Sequence, residues 1–206
     1  MPKHLPATLL EACAHLSNVD PVMGQLIREV GDCQLHLQGA RYSVLVRSII
    51  SQQISVQAAK TIRKRLQRSL SNRHLSPRTV AALSDTDFKT IGLSRQKRGY
   101  LRHLTELTLN GTLNFRSIAR NPNDESIIST LVEVNGIGKW TAQMFLVFGL
   151  GRLDVFASGD LGLRKAVATH YNLPTSATSQ DYEALALQWS PFRSIASWYL
   201  WRSLEM

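Results

Sequence analysis

Apolar residues return at steps of three and four along nearly the whole of this 206-residue chain. That spacing is the repeat of one helix face, and it leaves little room for the strict alternation of a half-buried strand. The clearest run is Leu45, Ile49, Ile50, Ile54, Ala58, Ile62 and Leu66. It predicts one long helix from about Arg41 to Leu70, or two helices broken near Gln52-Gln53. Local punctuation sets the other boundaries. Asp20-Pro21 reads as an N-cap followed by proline at the first helical position, opening a helix to about Val30. Cys33 to Leu37 alternates before Gly39 and is expected to be a short extended piece. Ser84 with Asp87 forms a capping box, and Gly92 closes that short helix. A helix from about Arg95 to Leu109 stops at Asn110-Gly111. Asn121-Pro122-Asn123-Asp124 starts another, with Ile127, Ile128, Leu131 and Val132 on one side. Asn135-Gly136-Ile137-Gly138 breaks it, and helix resumes from Trp140 to about Leu150. After a loop from Gly149 to Gly159, either Asp160 or Ser158 caps a helix ending near His170. Two more follow, about Ser179 to Trp189 and Pro191 to Arg202. The fold class is all-α.

Composition narrows the function classes. Hydrophobic residues make up 44% of the chain, enough for a core. There is no run of about 18 apolar residues to span a membrane. Met1-Pro2-Lys3-His4-Leu5 lacks the apolar core of a secretion signal, so an intracellular, reducing compartment is expected. Cys13 and Cys33 are the chain's two cysteines, too few for a thiolate zinc site or a four-cysteine iron–sulfur cluster. They read as small buried hydrophobes. The histidines are scattered, which argues against a metalloenzyme. Lys plus Arg number 24 against 15 Asp plus Glu, a net charge of +9. From Cys33 to Ser84 there is no acidic residue, yet Arg41, Arg47, Lys60, Arg63, Lys64, Arg65, Arg68, Arg73 and Arg78 all fall there. Lys89, Arg95, Lys97, Arg98 and Arg102 repeat the bias. A solvated basic face would look the same; so would a surface for nucleic acid or for an anionic membrane.

The segment from Leu131 to Ala142 is helix, Gly-x-Gly hairpin, helix. Gly136 and Gly138, flanking Ile137, let the backbone turn sharply and approach a partner closely. The hairpin amides and the start of the next helix would cradle a DNA phosphate, with Ile137 anchoring the turn and Lys139 adding charge. An ordinary turn between helices has the same glycines, so the pattern alone does not choose.

Gly136-Ile137-Gly138-Lys139-Trp140-Thr141-Ala142, followed about twenty residues later by Asp160, resembles the helix–hairpin–helix (HhH-GPD) DNA glycosylase superfamily. The likeness is to its DNA-3-methyladenine glycosylase II branch. Leu45 to Ser55, Ile91 to Lys97, and Ser190 to Arg202 are similar to that branch as well, so the resemblance runs from about residue 40 to 204 in order. Asn135 departs from it, standing where the family usually has proline.

The resemblance implies a two-part helical fold: a central domain, residues 41–152, carrying the hairpin, and a second domain from residues 1–40 plus 153–206, with an active-site cleft between them. It implies a monofunctional enzyme of base excision repair that cuts alkylated purines such as 3-methyladenine and 7-methylguanine from double-stranded DNA by flipping the base out. Asp160 would be the catalytic carboxylate, stabilising the cationic sugar as the base leaves. A helix N-terminus favours the charged form of a carboxylate. Its other reading is a plain N-cap, and Asp154 is the competing carboxylate. Trp140 stands where superfamily members that also nick the strand carry a Schiff-base lysine, so no AP-lyase activity is implied. Trp140, Trp201 and Tyr42 are the candidate walls of the base pocket, with Trp198 and Tyr199 behind them; a core role is the other reading for Trp198 and Trp201. DNA would meet Gly136, Ile137, Gly138, Lys139, Thr141, Gln53 and Arg164, with the wedge that fills the gap coming from the Gln52-Gln53-Ile54 turn as Gln53; a helix kink or polar surface turn is the other reading there, and a solvent-facing side chain the other reading for Arg164. No cofactor is required. A structural Na+ or K+ at the hairpin would be held by the carbonyls of Val132, Val134 and Ile137. The protein is expected to act as a monomer, with no membrane partner, wherever the DNA is. A non-catalytic helix–hairpin–helix module that only grips DNA is the alternative.

Overall fold

The computed structural model describes residues 5–206, and among these every regular element is helical. In chain order they are α1 (Leu5–Val19), α2 (Pro21–Val30), α3 (Arg41–Ser51), α4 (Val56–Ser69), α5 (Pro77–Ala81), α6 (Asp85–Ile91) and α7 (Arg95–Leu109). There follow α8 (Phe115–Arg120), α9 (Asp124–Val132), α10 (Lys139–Phe145), α11 (Leu161–Tyr171), α12 (Ser179–Ala186) and α13 (Arg193–Ser203). The run 41–70 is two helices, since Gln53 takes the left-handed conformation at φ +55° and interrupts the repeat. Cys33–Leu37 forms no strand. Helix α1 and the short α5 and α8 were not expected. The helix opened by α10 widens to a π-turn over Leu146–Leu150, a form that fixed α-spacing does not anticipate. No described helix is long and apolar enough to cross a membrane.

The chain divides into two compact units. The central unit is Gln38–Phe145, against the 41–152 expected, so the π-turn groups with the other unit. In the central unit α3 packs on α4, α7 and α10, while α10 also lies against α9. Leu45, Ile49, Ile50, Leu101, Leu104, Leu131, Ala142 and Phe145 are fully or almost fully buried. Capping is local and dense: Ser55, Ser76, Ser84, Ser94, Asn114 and Asn123 each accept a backbone N–H at a helix start. Each such cap contributes about 1 kcal/mol.

The second unit joins α1 and α2 to the chain from Leu146 onward. Helix α13 packs against α1, α2 and α11. Asp20, only 3% exposed, caps α2 through the amides of Val22 and Met23. Its second oxygen accepts from the Tyr171 hydroxyl at 2.6 Å and the Trp189 indole N–H at 2.7 Å. Burial, and then the Asp20 carboxylate, push the Tyr171 hydroxyl well above its ordinary pKa. One carboxylate thus ties α2 to residues more than 150 positions away, and losing it would strand the buried Trp189 N–H at a cost of about 1–3 kcal/mol and free the half-buried Tyr171 hydroxyl.

Candidate active site and DNA-binding hairpin

In the second unit, Asp160 is the N-cap of α11. Its Oδ1 accepts the Leu163 amide at 2.6 Å and the Trp201 indole N–H at 3.0 Å. Two expected site residues, 41 positions apart, are therefore in direct contact. The Trp201 ring stacks on Phe148, with centroids 6.0 Å apart and planes 27° from parallel. Phe148 stands on the π-turn and is half-buried. The sequence shows an aromatic residue inside an expected helix, but its direction is set by the extra residue of the π-turn. A β-carbon on Gly162 would lie 3.3 Å from Oδ1 of Asp160 and 3.7 Å from the Trp201 ring. Glycine there gives carboxylate and indole room to meet. Beside them Leu161 is 82% exposed, an unusual position for leucine.

The other candidates of this unit serve its interior. Asp154 receives the Arg193 guanidinium at 2.7 and 3.0 Å and the Ser190 hydroxyl at 2.9 Å. Burial raises its pKa, but the bonds from Arg193 and Ser190 outweigh this and hold the carboxyl below its ordinary value. It is a structural ion pair. Arg164, expected at a phosphate, donates instead to the Ala177 carbonyl at 3.0 Å and lies over the Tyr182 ring at 4.7 Å. The aromatic face and the carbonyl hold it against its own unit, a role that the expected phosphate contact does not include. Tyr199 is fully buried, and Trp198 is covered by Arg202.

In the central unit, the hairpin turns at Gly136, whose φ is +85°. A β-carbon there would fall 2.1 Å from the Tyr100 ring, so both conformation and space demand glycine. Gly138 differs. Its β-carbon would meet nothing within 4 Å, so the protein itself sets no limit there. Ile137 is 3% exposed and anchors the turn, and its amide donates to the Val134 carbonyl at 2.9 Å. Val134 is buried while Val132 is exposed, so Val132 does not share the buried side with Ile127, Ile128 and Leu131. The Asn135 amide donates to His103 Nδ1 at 3.0 Å. Lys139 is exposed and Trp140 is 44% exposed, both in the first turn of α10. At that exposure Trp140 is not a core residue. Thr141 is 3% exposed; its side chain faces the packed interior, which corrects its expected contact with DNA.

The turn holding Gln53 leans on this hairpin. Gln52 donates through Nε2 to the Gly136 carbonyl at 2.8 Å. Lys97 Nζ donates to the carbonyls of Ile50 and Gln52, each at 2.7 Å, closing the end of α3. Burial lowers the Lys97 pKa. Gln53 and Ile54 form the exposed tip. Between turn and hairpin lies a cavity of about 370 Å³ lined by Gln53, Lys97, Tyr100, Asn135 and Gly138 among others. The bracing role of Lys97 is not legible in the segment Ile91 to Lys97, because its acceptors lie 47 and 45 residues away. Tyr42 is placed otherwise than expected. It is 5% exposed, bonded to the Thr105 hydroxyl at 2.7 Å and packed edge-on to Phe115. Burial, partly offset by the Thr105 bond, raises its pKa to about 12. It is a core tyrosine with no face for a substrate.

Comparison with known proteins agrees with this geometry. Residues 46–192 match the model of the HhH-GPD superfamily base excision DNA repair proteins. The alkylbase DNA glycosidase-like protein mag2 of Schizosaccharomyces pombe is 30% identical, covering 91% of this chain and 90% of the relative. DNA-3-methyladenine glycosylase 1 of the same yeast is 30% identical, covering 99% of this chain and 91% of the relative. The solved structure of S. pombe 3-methyladenine DNA glycosylase Mag1 in complex with abasic DNA superposes with a TM-score of 0.84 at 28% identity, over 95% of this chain and 97% of that one. The chain belongs to the HhH-GPD superfamily of base excision DNA repair proteins.

Proposed function

We propose that this protein is a monofunctional DNA glycosylase, of the DNA-3-methyladenine glycosylase II type, acting on alkylated purines in duplex DNA. The observation that carries the reading is the group Asp160–Trp201–Phe148: a carboxylate fixed by two N–H donors beside stacked aromatic rings. As the glycosidic bond breaks, its electron pair leaves with the base and positive charge grows on the sugar. Asp160 stabilises that charge and orients the water whose oxygen adds to C1′, the water's proton passing to solvent. A purine alkylated at N3 or N7 is already cationic and leaves as a neutral base, so modest assistance suffices. Electron-rich rings such as those of Trp201 and Phe148 attract such a cation. The reaction needs no organic cofactor.

DNA is gripped by the hairpin. Main-chain N–H groups of Gly136, Gly138 and Lys139 and the Lys139 ammonium meet a phosphate, with Gly138 letting the backbone come close and the Ile137 amide spent within the turn on Val134. Gln53, at the exposed left-handed tip, enters the duplex when the base is extruded, offsetting a few kcal/mol of lost stacking. The carbonyls of Val132, Val134 and Ile137 form an all-oxygen, uncharged donor set suited to Na+ or K+. The Val134 oxygen, although it accepts from Ile137, retains a second lone pair. Such a cation would add positive charge beside the phosphate. Trp140 offers no amine for a Schiff base, so the product is an intact strand with an abasic site. The enzyme acts as a monomer.

The test is incubation with methylated duplex followed by alkali. Strand breaks appearing only after alkali support a monofunctional glycosylase. Breaks without alkali overturn the monofunctional reading, and tight binding with no base release supports the non-catalytic module instead.

A further inference from the structure

A second cavity, of about 420 Å³, lies in the central unit at the end of α3 and α4 opposite the Gln52–Gln53 turn. It falls in the acid-free stretch from Cys33 to Ser84, whose excess of arginine the DNA hairpin does not explain. Its rim carries Arg47, Arg63 and Arg73, and its floor is apolar, with Leu66 and Leu70 buried beneath. None of the three arginines forms an ion pair with a carboxylate among the described residues. Arg47 is fixed by donating to the Gln38 carbonyl at 2.9 Å and to the Ser43 hydroxyl at 3.2 Å. A guanidinium has five N–H donors, so most of its capacity is left for a ligand. Arg73 is brought to the rim by two successive left-handed residues, Asn72 at φ +51° and Arg73 at φ +54°, a conformation that costs non-glycine residues energy.

Three guanidinium groups without carboxylate partners suit a dianionic phosphate, which each can bind bidentately. The volume far exceeds one phosphate and lies in the range of small-molecule sites, about 300–1,000 Å³. The apolar floor asks for a flat, weakly polar body attached to that phosphate. The geometry points to a nucleoside monophosphate: phosphate on Arg47, Arg63 and Arg73, base over Leu66 and Leu70. This site is separate from the hairpin and does not rest on the glycosylase reading.

Calorimetric titration of the intact protein with AMP, adenosine and inorganic phosphate tests it. AMP binds saturably with a Kd of about 1 mM or tighter. Adenosine and phosphate alone each bind at least about tenfold more weakly, because each fills half the site. Arg63→Glu/Arg73→Glu abolishes the AMP signal. Should that variant fail to fold by circular dichroism, Arg63→Gln weakens AMP at least about threefold. Lys139→Glu, in the hairpin, leaves AMP binding unchanged. The proposal is overturned by absence of saturable AMP binding, by undiminished binding in the folded arginine variants, or by displacement of AMP by undamaged duplex with loss of AMP binding in Lys139→Glu. Base release from methylated DNA, measured alongside, reports on the glycosylase reading independently.

Discussion

The indole of Trp201 donates to the same oxygen of Asp160 that caps α11, at 3.0 Å, while the Leu163 amide reaches it at 2.6 Å. A helix cap needs only the amide. The second donor, delivered from α13, fixes the rotation of the carboxylate and sets an aromatic ring beside it. That is what a group meant to face a transient cation requires, since an electrostatic stabiliser works when it does not have to reorganise.

Trp201→Phe keeps a ring against Phe148 but removes the N–H. A hydrogen bond to a charged group contributes about 1.5–3 kcal/mol, so release of a methylated base should slow about 10- to 100-fold. Single-turnover kinetics measure it. DNA affinity, read by fluorescence anisotropy, should hardly change; an equal fall in both would mean that Trp201 serves only the fold.

The two hairpin glycines should respond differently. Gly136→Ala drives a β-carbon into the Tyr100 ring at a left-handed position and should cost about 2 kcal/mol or more in denaturant melts. Gly138→Ala meets open space, so stability should be unaffected while DNA binding weakens several-fold. Unchanged affinity in Gly138→Ala would remove the close approach of DNA from the account.

Lys97→Met removes two bonds to the end of α3. The loss should destabilise the protein by about 1–3 kcal/mol and lower base release, because the turn bearing Gln53 loses its brace. Hydrogen exchange at Gln53 and Ile54 would rise. If exchange there stays at the wild-type level, the brace is incidental.

Asp154 gives a pH signature. Its folded pKa lies below the ordinary value, so the ion pair with Arg193 stabilises at neutral pH. That contribution is lost as pH falls from the ordinary carboxylate range through the lowered folded value. Asp154→Asn should therefore cost about 1–2 kcal/mol at pH 7, and the gap from wild type should close in acid. Urea melts across that range check it; a gap that widens in acid would reverse the assignment.

Local chemistry made much of this legible in the chain. Caps at Asp20, Ser84, Asn123 and Asp160, and the glycines at 92 and 136, act within a few residues, and the residue types state their own requirement. What escaped depends on partners far away in sequence. Tyr42 looks like a pocket aromatic until Thr105, 63 positions on, takes its hydroxyl. The contacts of Arg164 with Tyr182 and Ala177 likewise depend on residues beyond its own helix. Phe148 could not be aimed without the π-turn, and the Lys97 brace joins segments 45 and 47 residues apart.

Asp160→Asn tests the central claim most directly. Asparagine keeps an oxygen to cap α11 and accept from Trp201, while the negative charge is lost and the second oxygen becomes an NH2 group. The variant should bind methylated duplex within about threefold of wild type yet release base at least about 100-fold more slowly in single turnover. Release at the wild-type rate would show that the carboxylate is a cap and nothing more, and would return the chemistry to another residue.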